Sequence, residues 1–366
     1  MIVPSFTSSS ERLPVFRAGI VLATAFVIFF AAIFLLELAL AQRGYVAGFC
    51  DDEAAWQHER ERAGELGAKG LVLVGGSRIQ LGADVALLAE QTRRPVVQLA
   101  IDGSAFPPVL HGLANDARIK GVVLVDFPEY LLASAPDPKN IALHYENDYQ
   151  REQGSLPGFD DAEAWLEGLR NQHLRSYADG ARPLTSLRGR VLDPDPAPQY
   201  LQTLKDRSKL ADYSHLEMPL IYHFRVMGEL HVTDAQVGEM DDDQREAFLQ
   251  SRVAALRPVD NRIFLRRLQQ MADDVKKIEA RGGQVFFINM PISGMMRGIR
   301  EHRYPRDRFW KHVQTAFPGR TLHAEDDAAM RGFVCPDGSH LDKRDRDAFT
   351  LALAKALQAH GMASLH

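Results

Sequence analysis

Two glycine-containing turns carry residues that together could do acyl chemistry. Leu71-Val-Leu-Val-Gly-Gly-Ser-Arg-Ile-Gln-Leu-Gly82 ends an apolar run on two glycines and a serine, Ser77. A serine hydroxyl is a weak nucleophile and needs a base, usually an imidazole oriented by a carboxylate. Cys335-Pro-Asp-Gly-Ser-His-Leu341 supplies both, with Asp337 three residues before His340. In a turn, that spacing lets the carboxylate fold back onto one ring nitrogen and leaves the other to accept a hydroxyl proton. Asp-x-x-His is weak evidence alone, because Asp212-Tyr-Ser-His215 repeats it where a surface or capping histidine is the simpler reading. Gly-Gly-Ser without a base would be only a turn with a helix N-cap.

The elements around these turns place them at one sheet edge. Gly70–Val74, Pro95–Ile101 and Gly121–Val125 read as buried strands, with a helical segment through Val85, Leu87 and Leu88 and another opened by Pro107 and Pro108. Phe264, Leu268, Met271, Val275 and Ile278 recur at helical spacing, from an Asp260 N-cap to a Gly282-Gly283 stop. Gln284–Met290 is a fourth strand and Thr321–Ala324 a weak fifth; a last helix carries Phe349, Leu353 and Leu357. The alternation predicts an α/β domain, a parallel sheet with helices on both faces. Serine at the carboxyl end of the first strand then stands where such sheets bind ligands. From about 130 to 257 the rhythm is lost, and a helical insertion is expected, with a break at Asp193–Pro198 and a helix start at Asp241-Asp-Asp243.

The averages bound the alternatives. The 366 residues are 46% hydrophobic and 25% charged, which excludes wholesale disorder. A net charge of −5 gives no footprint for nucleic acid. No Cys-x-x-Cys, phosphate loop or Gly-x-Gly-x-x-Gly turn occurs, and His302, His312 and His323 are scattered, so no metal or cofactor is expected. Arg297, Arg300, Arg303, Arg306 and Arg308, with Tyr304, Phe309 and Trp310, read as a solvated helix face over core aromatics; the alternative is a groove for an anionic polymer or lipid headgroups.

Ala18–Leu36 is an unbroken uncharged run bounded by Arg17 and Glu37, long enough with the apolar residues beyond to cross a ~30 Å hydrocarbon core. A cleaved signal ending at Ala39-Leu-Ala41 competes, but its apolar core would exceed the ~7–15 residues usual for one. Arg12 and Arg17 ahead of the run, against Asp51, Asp52 and Glu53 after it, favour a cytoplasmic amino terminus and an extracytoplasmic body. The expected organisation is a tail and anchor over 1–45, a linker helix over 46–66, and a domain over 67–366 interrupted by the insertion. In an oxidising compartment Cys50 and Cys335 could pair or stay as thiols.

Together these residues resemble the SGNH hydrolase superfamily, also called GDSL-like, and more narrowly its membrane-anchored branch with DltD- and alginate-acetylation-type relatives. The resemblance covers roughly 69–126 and 260–360 and implies a flavodoxin-like α/β/α sandwich. It implies Ser77 as nucleophile and the Asp337–His340 pair before the last helix. Ile101-Asp-Gly-Ser-Ala-Phe-Pro107 is similar to the family's second block, whose glycine N–H joins the serine N–H in the oxyanion hole; that points to Gly103. Two positions depart: Gly76 replaces the aspartate beside the nucleophile, and Val125-Asp-Phe-Pro-Glu129 lacks the third block's asparagine. Asn289 is a substitute donor if the fourth strand delivers it, and Arg78 is a candidate substrate contact, with a solvated arginine as the default. A charged Asp126 beside an oxyanion would oppose it.

The function implied is an esterase or O-acyltransferase acting on an acyl ester or glycan of a cell envelope, with a polytopic acyl-donating membrane protein as partner in the transfer case. A membrane-tethered binding or assembly protein that keeps the fold without turnover is the alternative, favoured by the two departures and the insertion.

Overall fold

The computed structural model describes residues 15–152, 166, 168–196 and 198–362, which form two compact units. One comprises the chain up to Gly48 with Leu169–Gln199; the other comprises Phe49–Gly168 and Tyr200–His366.

The first unit is built on the helix Val15–Gln42. Within its stretch Gly19–Gln42 an 18-residue window has a mean hydropathy of 2.8, and 24 residues at ~1.5 Å each give about 36 Å, a candidate single membrane span. Val21, Leu22, Phe26 and Val27 stand exposed on different sides, as on a lipid-facing helix. Glu37, the expected end of the apolar run, is held inside the helix. Its carboxylate accepts the backbone N–H groups of Arg175 (2.7 Å) and Ser176 (2.9 Å), at the start of the 3-10 turn Arg175–Gly180. Leu36, Leu40 and Tyr45 close against Leu187 and Val191. The stretch 130–257, expected as one insertion, is therefore divided, and its part Leu169–Gln199 forms one unit with the apolar helix.

The second unit is α/β. Strands β1 (Leu71–Val74), β2 (Val96–Gln98), β3 (Val122–Asp126), β6 (Gln284–Asn289) and β7 (Thr321–His323) form a parallel sheet in the order β2-β1-β3-β6-β7. Register pairs Leu71 with Val96 on one side and with Val122 on the other. Side chains alternate between faces, so one strand feeds two cores. Val72, Val74, Val123, Val125 and Phe287 meet Trp56, Leu110 and the stripe Phe264, Leu268, Met271, Val275 and Ile278. Leu71, Leu73, Leu124, Phe286 and Ile288 meet Leu88, Phe349, Leu353 and Leu357. The first four of these strands are buried on both sides almost throughout, hence their continuous apolar reading, whereas β7 at the sheet edge is only partly buried.

Three expectations are corrected. The helix Glu53–Leu66 is no linker: Trp56 is fully buried, its indole N–H donates to the Leu99 carbonyl at 3.0 Å, and buried Arg60 binds Asp116 at 3.0 Å. Asn261 takes the N-cap expected of Asp260, which instead accepts the Arg262 N–H from one residue further out. The inserted region is not wholly helical, since β4 (Leu201–Thr203) and β5 (Lys209–Ala211) make an antiparallel hairpin. Asp241 does start a helix there, accepting the Gln244 N–H at 2.8 Å. Cys50 and Cys335 are not joined by a disulfide; burial pushes the Cys335 thiol up to about 12.

Candidate active site

Sheet order reverses between β1 and β3, and both strands point their carboxyl ends at one crevice, where α/β sheets hold ligands. Ser77 follows β1 after Gly75 and Gly76 and opens the helix Ser77–Gly82, so its N–H has no carbonyl partner within the helix. Gly75 is required: at φ +157° its backbone disfavours a side chain, and a Cβ would lie 2.7 Å from Asp126 Cβ.

Asp337 and His340 reach the same point from the loop before the last helix, Lys343–Ala359. The turn folds on its own carboxylate. Asp337 Oδ1 accepts the backbone N–H groups of Ser339 (3.0 Å) and His340 (2.8 Å). Oδ2 lies 2.7 Å from His340 Nδ1, and His340 Nε2 lies 2.7 Å from Ser77 Oγ. An ionised carboxylate only accepts, so Nδ1 carries the ring proton and the Nε2 lone pair faces the hydroxyl. Sequence thus placed these three residues on two segments, and the fold brings them into one hydrogen-bonded chain.

Two further residues complete it, both from the inserted region. Tyr213 donates its hydroxyl to Asp337 Oδ2 at 2.9 Å, and Arg225 Nη1 lies 3.1 Å from the same oxygen while Nη2 donates to Ser339 Oγ at 2.6 Å. Desolvation would raise the Asp337 pKa, but its hydrogen bond to His340 and the nearby Arg225 charge hold it well below the carboxylate range. Burial, and then the Asp337 charge, push the Tyr213 hydroxyl upward, so it remains a donor. Tyr213 belongs to Asp212-Tyr-Ser-His215, the second Asp-x-x-His segment. Its aspartate does cap locally, accepting the Ser214 N–H at 3.0 Å, and His215 is exposed. The tyrosine between them is the part that reaches the site. Nothing local in the sequence marks Tyr213 or Arg225, because each meets Asp337 over more than a hundred residues.

The candidate oxyanion residues fare differently. The loop Ile101–Ser104 lies against the exit of β1: Ile101 N–H donates to Gly75 O at 3.1 Å, and a Cβ on Gly76 would come within 3.4 Å of Ser104 O. Gly103 adopts φ +65°, a left-handed turn suited to glycine. Burial opposes ionisation of Asp102, and Lys209, at 3.0 Å, holds its carboxyl below the usual range. Asn289 is not delivered as a donor. It is fully buried, its amide donating to Glu129 Oε1 at 2.6 Å and its oxygen accepting from Arg300.

Arg78 is not the solvated arginine taken as the default. Only 8% exposed, it grips both Asp126 oxygens along one edge of its guanidinium, Nε donating to Oδ2 at 3.1 Å and Nη2 to Oδ1. The Asp126 charge is thereby countered rather than aimed at a neighbouring oxyanion. Arg300, read as part of the basic surface run, turns inward with Nε 3.7 Å from Glu129 Oε2, while Arg297 and Arg306 pair at 2.8 and 2.5 Å with Glu325 and Asp326. Phe309 and Trp310 are buried in the core.

Two cavities meet at Ser77 and His340. One, of about 600 Å³, is walled by Leu81, Leu201, Tyr213, Leu220, Ile221 and Phe224. The other, of about 110 Å³, is mixed, with Arg78, Arg225, Arg300, Glu229, Tyr130 and Tyr304 on its wall beside Ile292, Met296 and Ile299. A hydroxyl, a base and an oriented carboxylate at a cavity mouth are the parts needed for nucleophilic acyl transfer. Among the described residues no group of histidines, cysteines and carboxylates could hold a metal ion. No protein-family model matches the chain, and no curated protein matches it significantly.

Proposed function

We propose that this chain is a membrane-anchored serine esterase or O-acyltransferase of the SGNH type, with its catalytic unit outside the cytoplasm and a cell-envelope glycan or lipid as substrate. The observation that carries the reading is the unbroken chain Ser77 Oγ–His340–Asp337, with 2.7 Å at each side of the imidazole. The sheet order β2-β1-β3-β6-β7, with serine after β1, supports the flavodoxin-like sandwich that the resemblance implies.

In this reading His340 Nε2 takes the Ser77 proton as Oγ bonds to the acyl carbon. The carbonyl electron pair moves onto oxygen and returns as the ester C–O bond breaks, and the leaving alkoxide takes the proton from His340. Water or a sugar hydroxyl then attacks the acyl-enzyme, gives its proton to His340, and Ser77 regains it. Water yields an acid, and a sugar hydroxyl a new ester; a polytopic membrane protein would supply the acyl group in the second case. The N–H groups of Ser77 and Gly103 hold the oxyanion. With no amide from Asn289, one donor fewer costs about 10²–10³ in rate, so turnover is expected to be slow.

A fluorophosphonate probe tests the reading on the full chain in detergent. Wild type is expected to label, His340→Ala to label slowly, and Ser77→Ala not at all. A folded wild type that stays unlabelled, with biological activity retained by Ser77→Ala, would establish the tethered binding protein instead. Tyr213→Phe keeps the ring and removes one donor from Asp337; a fall in kcat on p-nitrophenyl esters of roughly tenfold is expected, the scale of one hydrogen bond to a charged group.

A further inference from the structure

The two cavities at Ser77 differ in chemistry, and a reacting ester has two sides to place. The 110 Å³ cavity offers hydrogen-bonding groups from Arg225, Glu229, Arg300, Tyr130 and Tyr304, a setting for a hydroxyl-bearing leaving group or acceptor. The 600 Å³ cavity is within the ~300–1,000 Å³ of small-molecule sites and is walled chiefly by hydrocarbon and ring carbon. Its floor is fixed, because Leu81 and Tyr213 are buried with Ala211 in a small cluster that Leu201 joins. Its rim is uncovered: Leu220 and Phe224, one turn apart on the helix Met218–Leu230, are 56% and 71% exposed. A two-carbon acyl group would leave nearly all of this apolar wall against water. We infer that the larger cavity binds a linear, uncharged hydrocarbon acyl chain well beyond acetyl in length. This rests on the esterase or transferase reading of Ser77.

The test compares p-nitrophenyl acetate, butyrate and octanoate on the full chain in nanodiscs, with octyl acetate as a control for a chain on the alcohol side. Each fully buried methylene adds about fourfold. With an open rim, kcat/KM for octanoate is expected to exceed that for acetate by on the order of 10². Leu220→Glu combined with Phe224→Glu changes two exposed positions and is expected to lower the octanoate-to-acetate ratio about tenfold, a quantity independent of how much enzyme is folded. Equal rates for acetate and octanoate, or a ratio the double variant leaves unmoved, would overturn the acyl-chain site while leaving the esterase reading intact. A larger chain-length gain on the alcohol side would overturn the acyl assignment. No labelling and no turnover of any ester would remove the esterase reading, and the inference with it.

Discussion

Asp337→Asn is expected to lower kcat about 10⁴-fold while the protein still folds. The carboxylate now accepts from His340 Nδ1, the Tyr213 hydroxyl, Arg225 and two backbone N–H groups. An amide has one accepting oxygen and one donating nitrogen. If its oxygen keeps the turn N–H groups, its NH₂ faces His340, which must then present a bare Nδ1 and carry its proton on Nε2. That proton points at Ser77 Oγ, and the imidazole can no longer accept from it. Steady-state kinetics on p-nitrophenyl esters, with circular dichroism to establish folding, checks the outcome; activity within tenfold of wild type would remove Asp337 from the catalytic chain. Arg225 near the imidazole predicts a secondary loss of packing order, because its Nη1 would face the same amide nitrogen.

Removing one partner of the Arg78–Asp126 pair is expected to cost about 3–5 kcal/mol of stability. Both side chains are buried, Asp126 at 1% exposure, directly behind the nucleophile's turn. Arg78→Met leaves Asp126 in a low-dielectric pocket with no counter-charge in bonding reach, and Asp126→Leu leaves a buried guanidinium in the same state. The double variant replaces both charges with apolar side chains and is expected to recover most of the loss, because neither desolvated charge remains. Urea denaturation of the four proteins forms the double-mutant cycle. Additive losses in the double variant would show that the pair is not a unit. The same cycle assayed for turnover separates support of Ser77 from stability alone.

What the sequence determined by itself is what local pattern can carry. Apolar runs bounded by glycine and proline marked four of the five sheet strands, because a strand buried on both faces has no polar alternation to confuse; the edge strand Thr321–His323, only partly buried, gave a weak signal. The stripe from Phe264 to Ile278 marked its helix, and the uncharged run after Arg17 marked the apolar one. Asp337 and His340 were legible because three residues within one turn suffice for their bond. Ser77 was legible only together with that pair, because two glycines and a serine after a strand are otherwise a turn with a helix N-cap.

Only the tertiary structure decided the rest. Tyr213 and Arg225 converge on Asp337, and Arg300 turns from an apparent surface run onto Glu129 and Asn289. Asn289 itself, an available amide by sequence, is consumed by that contact. Arg78, solvated by default, becomes buried because β3 places Asp126 opposite it. The reason is common to all of them. A charged or hydroxyl side chain carries no periodicity, and its burial is set by a partner distant in sequence, whose position exists only once the sheet has ordered its strands. Hydrophobic spacing specifies which face of an element is covered; it does not specify which ionic groups that covering brings together.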